Sequence, residues 1–242
     1  MDDLVSRFVA DVADAATPGR AAAEKRYLKS DLAFLGASMP QIDRALRRVL
    51  EGRALTHDHV VELASVLWSE PVFERRMAAV LVLQRSTREL APRDLPLVER
   101  LVRESGTWAL VDGLATGVVG RIVEADDDGA ARVLDRWALD PDFWVRRASL
   151  LGELPALRRG AALDRFARRA DPMLEEREFF VRKAIGWVLR EAGKRRPDDV
   201  AAWLGPRTHR ASGVTMREAV KYLPPNDGAR LMAAYREHRP AA

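Results

Sequence analysis

Residues 73–83 read FERRMAAVLVL and residues 144–154 read WVRRASLLGEL. Each segment opens on an aromatic residue, carries two adjacent arginines two positions later and then continues apolar. Apolar residues fall at helical spacing along most of the chain, as in Val60, Leu63, Ala64 and Leu67 and again in Ala79, Val80 and Leu83. No stretch alternates as a half-buried strand would. Pro40, Gly52, Pro71, Pro92, Gly106, Pro141, Gly160, Pro172, Pro197, Gly205 and Pro224–Pro225 break or start helices at short intervals. This punctuation predicts roughly a dozen helices of ordinary length joined by short turns. Serial helices repeating at about 35 to 45 residues per pair point to an α-solenoid of the HEAT or armadillo kind, with a generic helical bundle as the alternative. The expected fold is therefore all-α, a solenoid of HEAT-like repeats with a concave basic groove, as one domain over residues 1–242. A concave solenoid surface suits an extended partner.

The chain contains no cysteine, which excludes disulfides, thiolate zinc sites, iron–sulfur clusters and a cysteine nucleophile. Of its four histidines, His57 and His59 lie two apart and so point to different faces of a helix. They read as a polar helix start behind Thr56. No apolar run reaches the roughly 18 residues of a membrane span, and Met1-Asp2-Asp3 lacks the basic-then-apolar order of a signal peptide, so a cytoplasmic protein is expected. The net charge of +4 is unevenly placed, with 14 Arg and Lys against 9 Asp and Glu between Asp140 and Arg196. A basic C-terminal half suits an anionic polymer, and equally describes a solvated face of solenoid helices.

Three segments could carry chemistry. In Gly106–Gly113, Thr107 is placed to cap a helix that starts at Trp108, which puts Asp112 one turn later on the same face. Gly113, Gly117 and Gly120 follow at spacings of four and three, which reads as close approach to a neighbouring helix or to a ligand. In Glu178–Glu191, Phe180, Lys183, Trp187 and Arg190 share one side of a helix, and a buried face would carry those cations only if they were paired. In Asp142–Arg147 the adjacent Arg146 and Arg147 point about 100° apart, so one can serve structure while the other meets phosphate.

The strings EFFVRKAIGWVLRE, FWVRRASLL and REAVKYL, with Tyr27-Leu28-Lys29 near the start, closely resemble the HEAT-like repeat DNA alkylation repair family, in particular its AlkD-type alkylpurine DNA glycosylases. The resemblance runs from about Tyr27 to Leu223 with order and spacing kept. It implies a DNA glycosylase for positively charged N3- and N7-alkylpurines, gripping double-stranded DNA by its backbone as a monomer, without metal or cofactor, and associated with the nucleoid during repair. By the same resemblance Asp112 matches the catalytic carboxylate, Trp108 and Trp187 the tryptophans flanking the deoxyribose, and Arg147 the arginine of the WxRR motif. Tyr27 matches the aromatic of a YxK motif that ends in Lys29. DNA contacts are expected from Tyr27 and Lys29, and the phosphate grip from Arg146, Arg147, Arg182, Lys183, Arg190 and Lys194. The chain departs from the family's doubled tryptophan at Thr107, Trp108 and Ala109 while keeping Trp108, Val111 and Asp112, a departure that bears on substrate range. Trp68, Trp137, Trp144 and Trp203 read as packing residues. Two further readings stay open: a non-catalytic module binding bent or branched DNA, and a scaffold for an acidic protein.

Overall fold

A computed structural model describes residues 1–125 and 127–238. Among these residues the regular structure is helical, and the β pairing is an isolated parallel bridge between Ala33 and Val72. The chain forms two compact units, the first Met1–Val118 and the second beginning at Val119.

The first unit contains α1 (Asp2–Asp14), α2 (Pro18–Leu28), α3 (Met39–Leu50), α4 (His57–Trp68), α5 (Phe73–Arg85), α6 (Leu95–Glu104) and α7 (Trp108–Leu114). α1 packs on α3 and α4 on α5, burying Phe8, Val12, Ile42, Leu46, Leu67 and Leu83 completely or nearly so. Each such side chain stabilises the unit by about 1.5–3 kcal/mol relative to an exposed one. Between α2 and α3 the chain has no helix to satisfy its amides. The buried Glu74 of α5 accepts from the backbone N–H groups of Leu35, Gly36 and Ala37 instead, at 3.0, 2.7 and 3.2 Å. Phe34 stacks on Phe73 beside it, with ring centroids 4.9 Å apart.

α4 starts as its sequence predicts, with Thr56 Oγ1 accepting from the His59 N–H at 3.4 Å. His57 does more than begin a polar turn. Its ring nitrogens bond the carboxylates of Asp58 at 3.0 Å and of the buried Asp94 at 2.8 Å. Asp94 also accepts from the Ala91 N–H, fixing the turn before α6. The bonds to Asp58 and Asp94 raise the His57 pKa above its ordinary 6.5, against smaller opposing effects of burial and Arg93. A raised histidine stabilises the fold fully below its unfolded pKa, and that contribution is lost as pH rises through the folded value. The melting temperature of the wild type should therefore exceed that of His57→Gln by a margin that shrinks from pH 6 to pH 8; a constant margin would contradict a stabilising role for the charged His57 beside Asp58 and Asp94.

The second unit contains α8 (Gly120–Ala125), α9 (Asp127–Trp137), α10 (Phe143–Leu151), α11 (Leu154–Arg158), α12 (Asp164–Ala170), α13 (Phe179–Gly193), α14 (Pro197–Leu204), α15 (Gly213–Ala219) and α16 (Pro225–Glu237). α13 is its central helix, packed against α10, α11, α14 and α15 through the buried Val181, Ile185, Val188 and Leu189.

The two arginine pairs that the sequence matches do matching work. Arg75 of α5 reaches back to the Val66 carbonyl, and Arg146 of α10 reaches back to those of Asp140 and Pro141. Arg76 reaches forward to the Glu104 carbonyl and lies over the Trp68 ring. Arg147 reaches forward to the Phe180 carbonyl and lies over the Phe180 ring. Each pair thus ties its helix to the chain segments on both sides of it, as a structural repeat requires.

The glycine stripe is a packing feature. A methyl group at Gly113 would stand 2.9 Å from Val80 Cγ1, and one at Gly117 2.7 Å from Gln84 Cδ; Gln84 donates to the Gly113 carbonyl at 2.8 Å. At Gly120 the close neighbour is Pro155, whose Cγ lies 2.5 Å from the position a Cβ would take. Beyond Leu114 the helix widens into a π-turn over Ala115–Val119, and Thr116 Oγ1 donates to the Asp112 carbonyl at 2.7 Å.

Candidate functional site

In the first unit, Trp108 is the opening residue of α7 and Asp112 follows one turn later, both half-buried. Thr107 occupies the N-cap position in extended conformation, yet its hydroxyl caps nothing. The side chain turns into the core, is 1% exposed, and leaves Oγ1 without a hydrogen-bond partner. Tyr27, in the last turn of α2, is 72% exposed and meets the Trp108 ring edge-on, with centroids 5.9 Å apart and planes at 82°. Two residues on, Lys29 closes α2 at φ 49°, the left-handed cap conformation that glycine usually fills. The structure thus brings Tyr27, Trp108 and Asp112 to one locality of this unit, with Lys29 exposed at the end of the helix that presents Tyr27.

In the second unit, Arg147 is 3% exposed, with its guanidinium donating to the Phe180 carbonyl and lying 5.9 Å from the Phe180 ring centroid. It holds the first turn of α13 against α10. Arg146 is held as well, by the Asp140 and Pro141 carbonyls and by Glu176 Oε2 at 2.7 Å. Burial raises the Glu176 pKa, but the amides of Arg177 and Glu178 and the Arg146 side chain outweigh it and bring it below the ordinary value. Arg182 donates its Nε–H to the Glu176 carbonyl at 2.6 Å. Phe143, Trp144 and Phe180 form an aromatic cluster with centroids 4.5 to 6.3 Å apart, onto which the exposed Phe179 packs. Trp144 accordingly packs as expected, as do the fully buried Trp68 and Trp137. Trp203 packs against Phe166 and under Arg207.

Trp187 stands half-buried on α13 with Lys183 four residues before it and Arg190 three after. The pairing that this face requires is supplied by Glu218 of α15. Its carboxylate accepts from Lys183 at 2.7 Å, from Arg190 at 2.5 Å and from Lys221 at 3.1 Å. Burial pushes the Glu218 carboxyl up, but the bonds from Lys183 and Lys221 and the charges of Lys183 and Arg190 bring it down to about 2. Lys194 bonds Glu191 at 2.9 Å and sits 4.6 Å from the ring centroid of the exposed Tyr222. Glu218, Lys221 and Tyr222 fall within REAVKYL, a string whose residues were legible in the sequence but whose partners, 28 and 35 residues away for Glu218, were not.

Fold and site together define an all-α protein of repeated helices with ordered cations flanking an accessible tryptophan. A family model described as DNA alkylation repair enzyme matches residues 9–223, and the chain belongs to that family. Its role lies in DNA alkylation repair. Among solved structures, a predicted DNA alkylation repair enzyme from Enterococcus faecalis superposes with a TM-score of 0.79 at 21% identity, covering 87% of this chain and 97% of that one. AlkD2 from Streptococcus mutans gives a TM-score of 0.65 at 17% identity, with 92% and 98% covered. The smu.31 protein from Streptococcus mutans UA159 gives 0.60 at 19%, with 77% and 93% covered. These likenesses establish the repeat-helical fold. No curated protein sequence matches the chain. Among the described residues no helix is long and apolar enough to cross a membrane.

Proposed function

We propose that the chain is a monofunctional DNA glycosylase that releases positively charged N3- and N7-alkylpurines from duplex DNA. An alkylated purine of this kind carries a formal positive charge, so the C1′–N bond breaks with its electron pair passing to the purine, which leaves neutral. No general acid is needed for that departure. The barrier lies in the oxocarbenium-like sugar, and Asp112 is the carboxylate assigned to stabilise it and to orient the water that adds to C1′. That water's proton passes to Asp112 or to solvent. Trp108 contributes an indole face to the cationic sugar, worth about 0.5–2 kcal/mol. Trp187 is assigned the same task by its family match, and Arg147 supports α13, the helix that carries Trp187.

The observation that carries this reading is the pair Trp108 and Asp112 one turn apart at the start of α7, with Tyr27 set edge-on to the indole. A binding module or a protein scaffold has no use for a carboxylate in that position. The test is single-turnover release of 7-methylguanine from a methylated duplex by the wild-type protein, with a uracil-containing duplex alongside. Release of 7-methylguanine with uracil retained is expected, because a neutral base is a poor leaving group without acid catalysis. Duplex binding without any release of 7-methylguanine would overturn the glycosylase and leave the binding module.

A further inference from the structure

We infer that Glu218 is a positioning residue for DNA, gathering Lys183, Arg190 and Lys221 into one phosphate-binding surface that Lys194 and Tyr222 extend beyond α13. The inference rests on the DNA repair reading, and it adds Glu218, Lys221 and Tyr222 to the phosphate contacts already expected from Lys183, Arg190 and Lys194. Its first support is geometric. The Glu218 side chain is 10% exposed, whereas those of Lys183, Arg190 and Lys221 are 41%, 23% and 50% exposed. The negative charge is recessed and the positive charges face outward, so an approaching phosphate meets cations first. An ammonium has three N–H donors and a guanidinium five, so one bond to Glu218 leaves each cation able to bind a phosphate oxygen.

The second support is how the backbone brings this about. A Cβ at Gly186 would stand 2.7 Å from Glu218 Cβ and 3.0 Å from the Thr215 carbonyl oxygen. α13 and α15 approach this closely because residue 186 has no side chain, and Thr215 Oγ1 locks the approach by donating to the Arg182 carbonyl at 3.1 Å. The carboxylate therefore lies beneath the face that displays Lys183 and Arg190 on either side of Trp187. Beside it, Lys194 is held in the same way by Glu191 and rests over Tyr222. Long cationic side chains lose rotamer entropy when they bind; tethered ones have lost much of it already.

The isosteric Glu218→Gln separates positioning from charge. Removing a negative group raises the net charge by one, and electrostatics alone then demands tighter duplex binding with a steeper salt dependence. Positioning demands the reverse: affinity for an undamaged duplex lower by about tenfold, and a log–log salt slope shallower by about 1–2, since each phosphate no longer neutralised removes about 0.9. Binding as tight as wild type or tighter, with the slope kept, overturns the inference. A general loss of folding would show as a lower melting temperature, and the exposed Lys221→Gln then decides. It should lower the slope by about one in the wild-type background, and an unchanged slope also overturns the inference. Failure of the wild type itself to bind duplex at low salt would instead remove the DNA reading on which the surface rests.

Discussion

Asp112→Asn should bind a methylated duplex as well as the wild type does and release 7-methylguanine about 10²–10³ times more slowly, as the loss of a preorganised group facing a developing charge predicts. The substitution keeps the shape of the side chain and removes its charge. A unit positive charge about 4 Å from a carboxylate gains about 4 kcal/mol at an effective dielectric constant of 20. That is close to a thousandfold in rate, and a half-buried position reduces it only in part. A tryptophan face supplies about 0.5–2 kcal/mol, so Trp108→Phe should cost far less than the carboxylate does. Affinity moves differently, because a negative group facing a polyanion does not help binding. The diagnostic result is thus a slower chemical step at constant or improved duplex affinity, measured under single-turnover conditions. Equal losses in binding and release would assign Asp112 to the integrity of α7 and not to the sugar.

The fold was readable because helix period and helix punctuation are local. Pro197, Pro225 and Gly106 stand at helix starts or just before them, and the matched arginine pairs mark a true repeat. What local pattern misjudged is continuity. Sixteen α-helical segments are found among the described residues where roughly a dozen are expected. The surplus comes from interruptions such as the π-turn after Leu114, beside which Gln84 packs on Gly113 and Gly117, and the short break between α10 and α11, where Pro155 stands in the first turn of the new helix. At the site, the residue types were legible and their partners were not. Arg146 and Arg147 are both bonded within the protein, Arg147 in the core and Arg146 to Glu176, and neither of these partners could be read from the spacing of the two residues. Thr107 is at the right position for a cap but makes no capping bond, because its hydroxyl is turned inward. Lys183 and Arg190 owe their order to Glu218, a relation that no period or spacing in the chain encodes.

The largest stability effect is expected at Arg169. Its side chain is 2% exposed and pairs with Glu153, 4% exposed, while its Nε–H bonds Asp135 at 2.6 Å and another N–H donates to the Ala131 carbonyl at 3.2 Å. Arg169→Met keeps the apolar stem and leaves the buried Glu153 carboxylate with Arg165, 3.5 Å away, as its remaining cation among the described ion pairs. Breaking a buried pair from one side costs about 3–5 kcal/mol. In a chain of this size that lowers the melting temperature by on the order of 10 °C. The pH dependence identifies the cause. Burial already holds the Glu153 carboxyl above its ordinary value despite Arg169, so its folded pKa exceeds its unfolded one. A carboxylate raised in this way favours the fold at low pH, and that benefit is lost as pH rises through the folded value. Without Arg169 the folded value climbs further, so the deficit of the variant should be large at pH 7 and should shrink on acidification toward the ordinary carboxylate range. Two apolar residues of similar volume satisfy each other where one stranded charge cannot, so Glu153→Leu combined with Arg169→Met should recover most of the lost stability. An equal deficit at pH 5 and pH 7, with no recovery in the double variant, would place the loss in the bonds to Asp135 and Ala131 instead.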